Sequence, residues 1–385
     1  MDIVLFIVAI SLFIAVHEFG HLVAARSVGM KATAYFIGFG PKIWSFRRGE
    51  TEYGLRGLLL GGYVKILGMN ALEEVDPADR ERSFSSKPLL SRIVVLVAGV
   101  FTNFVLALLL IVVALAAFAV PLDAQGRPAI ADDAVATIAS VQENSAAQAA
   151  GVRVGDRVVS VNGQRVSSFT DLPAMIREHA GEQVSLGIER GGRALELTAA
   201  LPALGAEGTG VLGVSQAPLI GRIPLSQLAR EATVGQYGIV SMTTQTVAGL
   251  GQALSPQNIG VWLGQLDGGE RSDGLISIVG AGQIASVFLR EGQFFSVLLL
   301  MANINLVLGL LNILPLPPLD GGHVATNVFE DIVRRWRRRK NQNDDWRLDP
   351  RVTAPITIAV FVFLTLIGVT AIFIDLMNPA SQLLQ

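Results

Sequence analysis

Four long apolar runs, residues 3–25, 93–120, 294–314 and 353–374, constrain this 385-residue chain more than any other feature. A helix needs about 20 residues to cross the ~30 Å hydrocarbon core of a bilayer, and each run has that length. The chain is therefore expected to be a polytopic α-helical membrane protein with four transmembrane helices. The first run lacks a basic start, is too long for a signal-peptide core and carries His17, Glu18 and His21, so it should remain in the mature protein. Only 16% of residues are charged, against about 25% in a soluble domain. The chain has no cysteine, which excludes disulfides, thiolate-held zinc, iron–sulfur clusters and a thiol nucleophile. Any metal must be held by His, Asp or Glu. A net charge of −2 gives no reason to expect nucleic acid as a partner.

The basic residues partition sharply. Eleven Lys/Arg lie between Arg26 and Arg92, eight between Arg334 and Arg351, and none in residues 1–25 or 352–385. The positive-inside bias then puts residues 26–92 and 323–352 in the cytoplasm and both termini outside, with the long 121–293 segment external. Residues 32–68 alternate short aromatic and aliphatic runs with Gly38, Gly40, Gly49, Gly54, Gly57, Gly61 and Gly62, a pattern that predicts β-hairpins at the cytoplasmic membrane face. Residues 70–88 read as a polar loop. From about 136 to 217 the order is strand, turn, strand, helix, strand, strand, a small external α/β module. Residues 224–254 carry weak helical periodicity, expected of a helix on the membrane or under the module, and 255–275 read as a loop.

The chemistry is concentrated in two places. His17-Glu18-Phe19-Gly20-His21 places two imidazoles at i and i+4 on one helical face, where they can share a zinc ion, and Glu18 beside them can activate its water. Ionisable groups inside a membrane helix are costly and mark function. A tetrahedral catalytic zinc takes three protein ligands and leaves one position open. The third candidate is Asp320, in the stretch Asn312-Ile313-Leu314-Pro315-Leu316-Pro317-Pro318-Leu319-Asp320-Gly321-Gly322. The prolines end the third apolar helix and leave irregular backbone at membrane depth, which is tolerated where protein buries it or a watery cavity is lined. At 1.5 Å per residue, His17 and His21 lie ~20–27 Å from the external start of the first helix, within reach of Asp320 at the cytoplasmic end of the third.

HEFGH in the first membrane helix, NxxPxPxLDGG from Asn312 to Gly322, and an external module between the second and third helices together resemble the site-2 proteases, and more narrowly the RseP-type zinc intramembrane proteases of bacteria. The resemblance spans nearly the whole chain. It implies one zinc held by His17, His21 and Asp320, with Glu18 as general base and Asn312 near the substrate or oxyanion. It further implies regulated intramembrane proteolysis in the bacterial inner membrane, on transmembrane substrates such as anti-sigma factors after a first cut, or signal-peptide remnants. The chain departs in two ways: it has one PDZ-like module where the RseP type proper has two, and Val100 stands where the family usually has Pro. The module resembles a permuted bacterial PDZ domain through Ser145 to Gly151, Gly155-Asp156 and Asn162-Gly163. Its carboxylate-binding loop would come last, at Gly210, Val211, Leu212, Gly213 and Val214. Such a loop captures a peptide C-terminus; a steric gate that binds no peptide is the alternative.

The organisation expected is residues 1–31 (first span), 32–92 (hairpins and cytoplasmic loop), 93–121 (second span), 122–218 (PDZ-like), 219–290 (juxtamembrane helical), 291–322 (third span), 323–351 (basic segment), 352–377 (fourth span) and 378–385 (external tail). Within the hairpins, Leu58, Leu60, Gly61, Gly62, Tyr63 and Val64 are candidates for an edge strand, anywhere from 53 to 67, that pairs with an unwound substrate; plain structural hairpins are the alternative. Asn303 and Asn305 need interhelical partners. His179 reads as solvated or half-buried, His323 as a support for Asp320 or a surface residue, and the Arg334–Lys340 run as a topology signal in contact with anionic lipid. An inactive scaffold has no need of four intact metal-site residues. A transporter on broken helices ordinarily shows two related halves, and the sequence shows no such repeat.

Overall fold

The computed structural model describes residues 2–70, 73–123, 126–130, 134–168, 170–203, 212–267, 275–340, 342, 346–380 and 382. The chain begins with α1 (Asp2–Ser27), the strands β1 (Ala32–Arg48) and β2 (Thr51–Ile66), and α2 (Leu89–Ala117). There follow β3 (Val120–Pro121), β4 (Ala136–Val141), α3 (Ala146–Ala150), β5 (Arg157–Val161), β6 (Gln164–Arg165), α4 (Asp171–Glu178), β7 (Gln183–Arg190), β8 (Arg193–Ala200), β9 (Val214–Pro218) and β10 (Ile220–Gly221). The rest is helical: α5 (Leu225–Val234), α6 (Ile239–Ala253), α7 (Pro256–Gly264), α8 (Ile278–Arg290), α9 (Phe294–Ile313), α10 (Asp320–Arg339) and α11 (Pro350–Met377). Four helical stretches are long and apolar enough to cross a membrane: Phe6–Ser27, Leu89–Ala117, Phe294–Ile313 and Arg351–Met377. Two compact units result, Met1–Leu110 with Thr243–Gln385, and Ile111–Met242.

In the first unit, β1 and β2 form one long hairpin that doubles back on itself, where the sequence suggested separate short ones. Phe36 faces both Tyr63 and Gly54, and Ser45 also faces Gly54, so the stretches lie in the order 42–48, 51–55, 34–37, 62–65. Gly38, at φ +89°, makes the bend: a Cβ there would sit 2.6 Å from the Leu58 carbonyl oxygen. This order corrects the expected substrate edge. Residues 53–55 are paired on both sides, whereas the 62–65 stretch pairs on one side only. Tyr35 donates its hydroxyl to the Ala15 carbonyl at 2.7 Å, and Ser11 donates to the Leu59 carbonyl, so the hairpin is fastened to α1 just before His17. On α9, both asparagines have the interhelical partners expected of membrane amides: Asn305 donates to the Asn103 carbonyl at 2.5 Å, and Asn303 accepts from Thr246 at 2.7 Å.

The expected loop at 255–275 is a helix over Pro256–Gly264. Ser255 caps it by accepting from the Asn258 amide, Pro256 stands at its first position, and buried Trp262 packs against Ala371 and Ile374. These capping signals outweigh the loop-like Gly and Pro content. The basic segment after Asp320 is also helical, as α10, with Phe329, Ile332 and Trp336 exposed.

The second unit holds a sheet in the order β8-β7-β5-β4-β9, with β6 on β5. Alternating inward residues such as Val158, Leu186 and Ile188 pack with Leu172 and Ile176 of α4 into one core. β9, the last strand of this sheet in the chain, lies at its edge beside β4. Leu212 and Gly213 accept amide hydrogens from Ala147 and Gln142, both at 2.8 Å, while Gly210 and Val211 fall outside the described residues. His179 meets Glu182 at 2.9 Å on the surface, and it belongs to no group of three potential metal ligands among the described residues.

Asp156 is fully buried and is gripped by Arg190 through Nε and Nη2, both at 2.7 Å, with the Arg153 amide at 2.8 Å. The Arg190 guanidinium holds this carboxyl below the usual carboxylate range. A depressed folded-state pKa adds stability that is complete above the unfolded value of about 3.9 and is lost as pH falls through the folded value. Asp156→Asn should therefore cost the module roughly 2–3 kcal/mol, below a fully buried pair because Arg190 is partly exposed. Hydrogen exchange of β5 and β7 reads it: protection falls in the variant at pH 7, and the difference closes in strong acid.

Candidate active site

The site is built where α1, α2 and the α9–α10 junction meet. His17 and His21 are 7% and 6% exposed, deep in an otherwise apolar helix. His17 Nε2 and His21 Nε2 are 3.2 Å apart, and Asp320 Oδ2 stands 3.1 Å from the first and 3.3 Å from the second. Ligand atoms sharing a tetrahedral zinc at 2.0–2.1 Å are about 3.3–3.4 Å apart, so the triangle has the size the ion requires. His21 Nδ1 lies 2.7 Å from the Val95 carbonyl oxygen, which can only accept. Nδ1 therefore carries the proton, and Nε2 presents a lone pair to the cluster. Asp320 Oδ2 is buried without a hydrogen bond despite its two histidine neighbours. Two imidazole nitrogens converging on a carboxylate oxygen that has no hydrogen bond of its own fit a divalent cation. This is the one group of three or more potential ligand side chains found among the described residues.

Asp320 reaches the histidines because the chain reverses tightly after α9. A Cβ on Gly321 would lie 2.1 Å from the Ile313 oxygen, and one on Gly322 would lie 2.3 Å from the Pro317 nitrogen. Both positions must be glycine for the turn to close and start α10 at Asp320. Asn312, in the last turn of α9, brings Nδ2 within 3.4 Å of His17 Nε2. Glu18 faces the hairpin edge and accepts the Val64 amide hydrogen at 2.9 Å; a Cβ on Gly62 would touch its Cγ at 3.4 Å. Of the other edge candidates, Tyr63 stacks on Phe36 with centroids 5.7 Å apart. Leu58 is 61% exposed, and a Cβ on Gly61 would lie 2.1 Å from the Phe39 ring. The Leu60 side chain is outside the described residues. His323, one turn into α10, is half-buried and bonds through its carbonyl to Asn327.

Two contributors escaped the sequence reading. Gly99 lies against both imidazoles: a Cβ would be 2.3 Å from His21 Nε2 and 2.6 Å from His17 Cε1. Four residues earlier, the Val95 carbonyl orients His21. The signal available for the first was a small residue in mid-span, the kind that lets membrane helices approach closely. Gly20 does the same from α1, where a Cβ would lie 2.7 Å from the Ala98 oxygen. Val100 leaves α2 unbroken from Leu89 to Ala117.

A buried His/His/Asp cluster with a glutamate beside it, the histidines on an apolar helix, has the donor set of a zinc hydrolase. Residues 5–345 match the family described as Peptidase family M50, the site-2 proteases, and the chain belongs to it. It is 34% identical over 401 residues to zinc metalloprotease Rip1 of Mycobacterium tuberculosis, covering 98% of this chain and 97% of that protein. It is 32% identical over 408 residues to zinc metalloprotease Rip1 of Mycolicibacterium smegmatis, covering 99% and 98%. Part of it is also similar to the PDZ domain of the SdrC-like protein from Listeria innocua, at 26% identity over 22% of this chain and 93% of that one, with a TM-score of 0.20. The protein is a zinc metalloprotease, integral to the membrane.

Proposed function

We propose that the protein is an intramembrane endopeptidase that cuts the transmembrane segments of single-span membrane proteins, with His17, His21 and Asp320 as zinc ligands. The observation that carries this reading is the triangle of His17, His21 and Asp320 at the depth of an apolar helix, with Glu18 accepting the Val64 amide of the hairpin's outer strand. Zinc held there supplies a Lewis acid that polarises the scissile carbonyl and acidifies water. Glu18 takes the proton from the attacking water and delivers it to the leaving nitrogen. Asn312 Nδ2 donates to the developing oxyanion from beside His17. Cleavage by the reconstituted protein of single-span substrates in liposomes tests the reading; intact substrate with zinc-loaded protein would refute it.

A peptide in a regular helix has its carbonyls hydrogen-bonded and its backbone shielded, so the substrate must unwind locally. Unpaired polar groups in hydrocarbon cost several kcal/mol each, and the edge at residues 58–66 can re-pair them by strand addition. Proline at Leu58, Leu60 or Val64 deletes one amide donor each, the Val64 donor being the one that Glu18 accepts when no substrate is bound. At least one of these variants should cut about tenfold more slowly with zinc content unchanged, the effect of losing one strong hydrogen bond. Normal cleavage by all three would end the strand-addition proposal while leaving the metal site standing.

The Lys/Arg asymmetry supports termini and a PDZ-like module outside, with the site towards the cytoplasm. A cysteine placed at Ser167 should react with an impermeant maleimide on intact cells, and one at Gln342 only after permeabilisation. The reverse labelling would invert the topology. The edge position of β9 supports peptide capture by the module as a strand added to that edge.

A further inference from the structure

A cavity of about 780 Å³ lies between the end of α1 and the tip of the β1–β2 hairpin, and none of His17, His21 and Asp320 lines it. Phe19 and Arg26 of α1 both line it, and at 1.5 Å per residue they stand ~10 Å apart along the helix. Phe19 is inside the apolar stretch Phe6–Ser27 and Arg26 is at its end, so the cavity runs from hydrocarbon depth to the headgroup layer. Its hairpin wall carries Phe46 and Tyr53, stacked with centroids 5.3 Å apart.

The charges do not balance. Arg48 and Arg82 join Arg26 on the lining, against the single carboxylate of Glu50. Arg82 takes that carboxylate through both terminal nitrogens, at 2.7 and 2.6 Å. Arg26 donates from Nη2 to two neutral oxygens, Thr51 Oγ1 at 2.8 Å and Tyr53 Oη at 2.7 Å, which fixes the guanidinium without an ion pair, and it shares the Glu50 carboxylate with Arg82 only at a distance. Neither Arg26 nor Arg48 has an ion-pair partner among the described residues. Two guanidiniums over an aromatic wall, at the level where a bilayer places its phosphates, call for a phosphodiester anion.

We propose that this cavity binds the headgroup of an anionic phospholipid, with its phosphate on Arg26 and Arg48 and its glycerol and upper acyl carbons along Phe19 and Phe46. An acidic peptide is the poorer occupant, because the cytoplasmic flanks of membrane-spanning segments are enriched in Lys and Arg. That comparison rests on the orientation proposed above. The bound lipid bridges α1 to the hairpin, the same two elements that set Glu18 against Val64.

The test uses the full chain in nanodiscs, with retained lipid counted by native mass spectrometry, a readout independent of proteolysis and of labelling topology. The wild type should retain phosphatidylglycerol over phosphatidylcholine by about tenfold, as expected for charge-assisted contacts from two guanidiniums. Arg26→Gln with Arg48→Gln should abolish that preference, and Arg48→Lys should keep most of it. If the double variant fails to fold, Arg48→Gln alone, at an exposed strand end, carries the test and should weaken the preference severalfold. Equal retention of both lipids by the wild type, or an unchanged preference in the glutamine variants, overturns the proposal. So does displacement of the lipid by equimolar inorganic phosphate, which would mark a soluble-anion site, or by an acidic peptide at lower concentration than the lipid.

Discussion

Glu18→Gln should keep about one zinc per chain and lose cleavage by ~10²–10⁴-fold or more, the range that a positioned general base contributes. The two halves of this expectation have separate causes. The proposed ligand atoms are His17 Nε2, His21 Nε2 and Asp320 Oδ2, and Glu18 lies outside their triangle, so its replacement removes no donor from the cluster. An amide oxygen can still accept the Val64 hydrogen that the carboxylate accepts at 2.9 Å, so hairpin and helix stay in register. What the amide cannot do is take a proton at neutral pH. His17→Ala, His21→Ala and Asp320→Ala should behave differently, losing zinc and activity together. Zinc content and initial rate, measured on the same preparations, separate the two patterns. A Glu18→Gln protein that cuts at the wild-type rate would remove Glu18 from the chemistry.

Gly99→Ala, a single methyl group far from Asp320 in sequence, should be nearly as damaging. Its Cβ would enter at 2.3 Å from His21 Nε2 and 2.6 Å from His17 Cε1, where ordinary contacts are 3.4–4 Å. The methyl is rigid on α2 and the imidazoles are confined, His21 by its bond to Val95, so the helices or the rings must move by about 1 Å. Displacements of that size at a reacting centre cost about 10²-fold in rate. Metal affinity should fall with it, because Asp320 is held by its own tight turn and cannot follow. Gly249→Ala is the matched control: it lies on α6 with nothing within 4 Å of the added methyl and should leave zinc and rate unchanged. Normal zinc affinity in Gly99→Ala would mean that α2 does not pack on the histidines as described.

The convergence of His17, His21 and Asp320 was legible in the sequence because its signals are local. His17 and His21 share a helical face by spacing alone, and Asp320 follows a proline run that breaks an apolar helix. Gly99 was not legible, since a glycine in an apolar run looks the same whether it faces lipid or an imidazole; only the crossing of α1 over α2 tells them apart. The Val95 carbonyl carries no side-chain signal at all. The hairpin was recognised from its glycines and aromatic runs, yet its doubling was not. Strand periodicity fixes which face a residue takes and is silent on which of several stretches lies beside it, so Phe36 with both Tyr63 and Gly54 is a long-range outcome. The helix α7 was missed because one buried tryptophan and a Ser-Pro cap decided it, against a composition that favoured a loop.

The claim that proteolysis takes place inside the bilayer is tested most directly by mapping the cut. A single-span substrate, reconstituted with the wild-type protein in liposomes, is digested and both products are weighed by intact mass spectrometry, with Glu18→Gln as the blank. The account predicts a scissile bond within the substrate's apolar span, several residues in from its cytoplasmic end, at the depth of His17 and His21. It also predicts faster cutting when a helix-weakening glycine is placed beside that bond. A cut confined to a water-exposed flank, unchanged by helix stability and still made by a zinc-loaded protein, would contradict it.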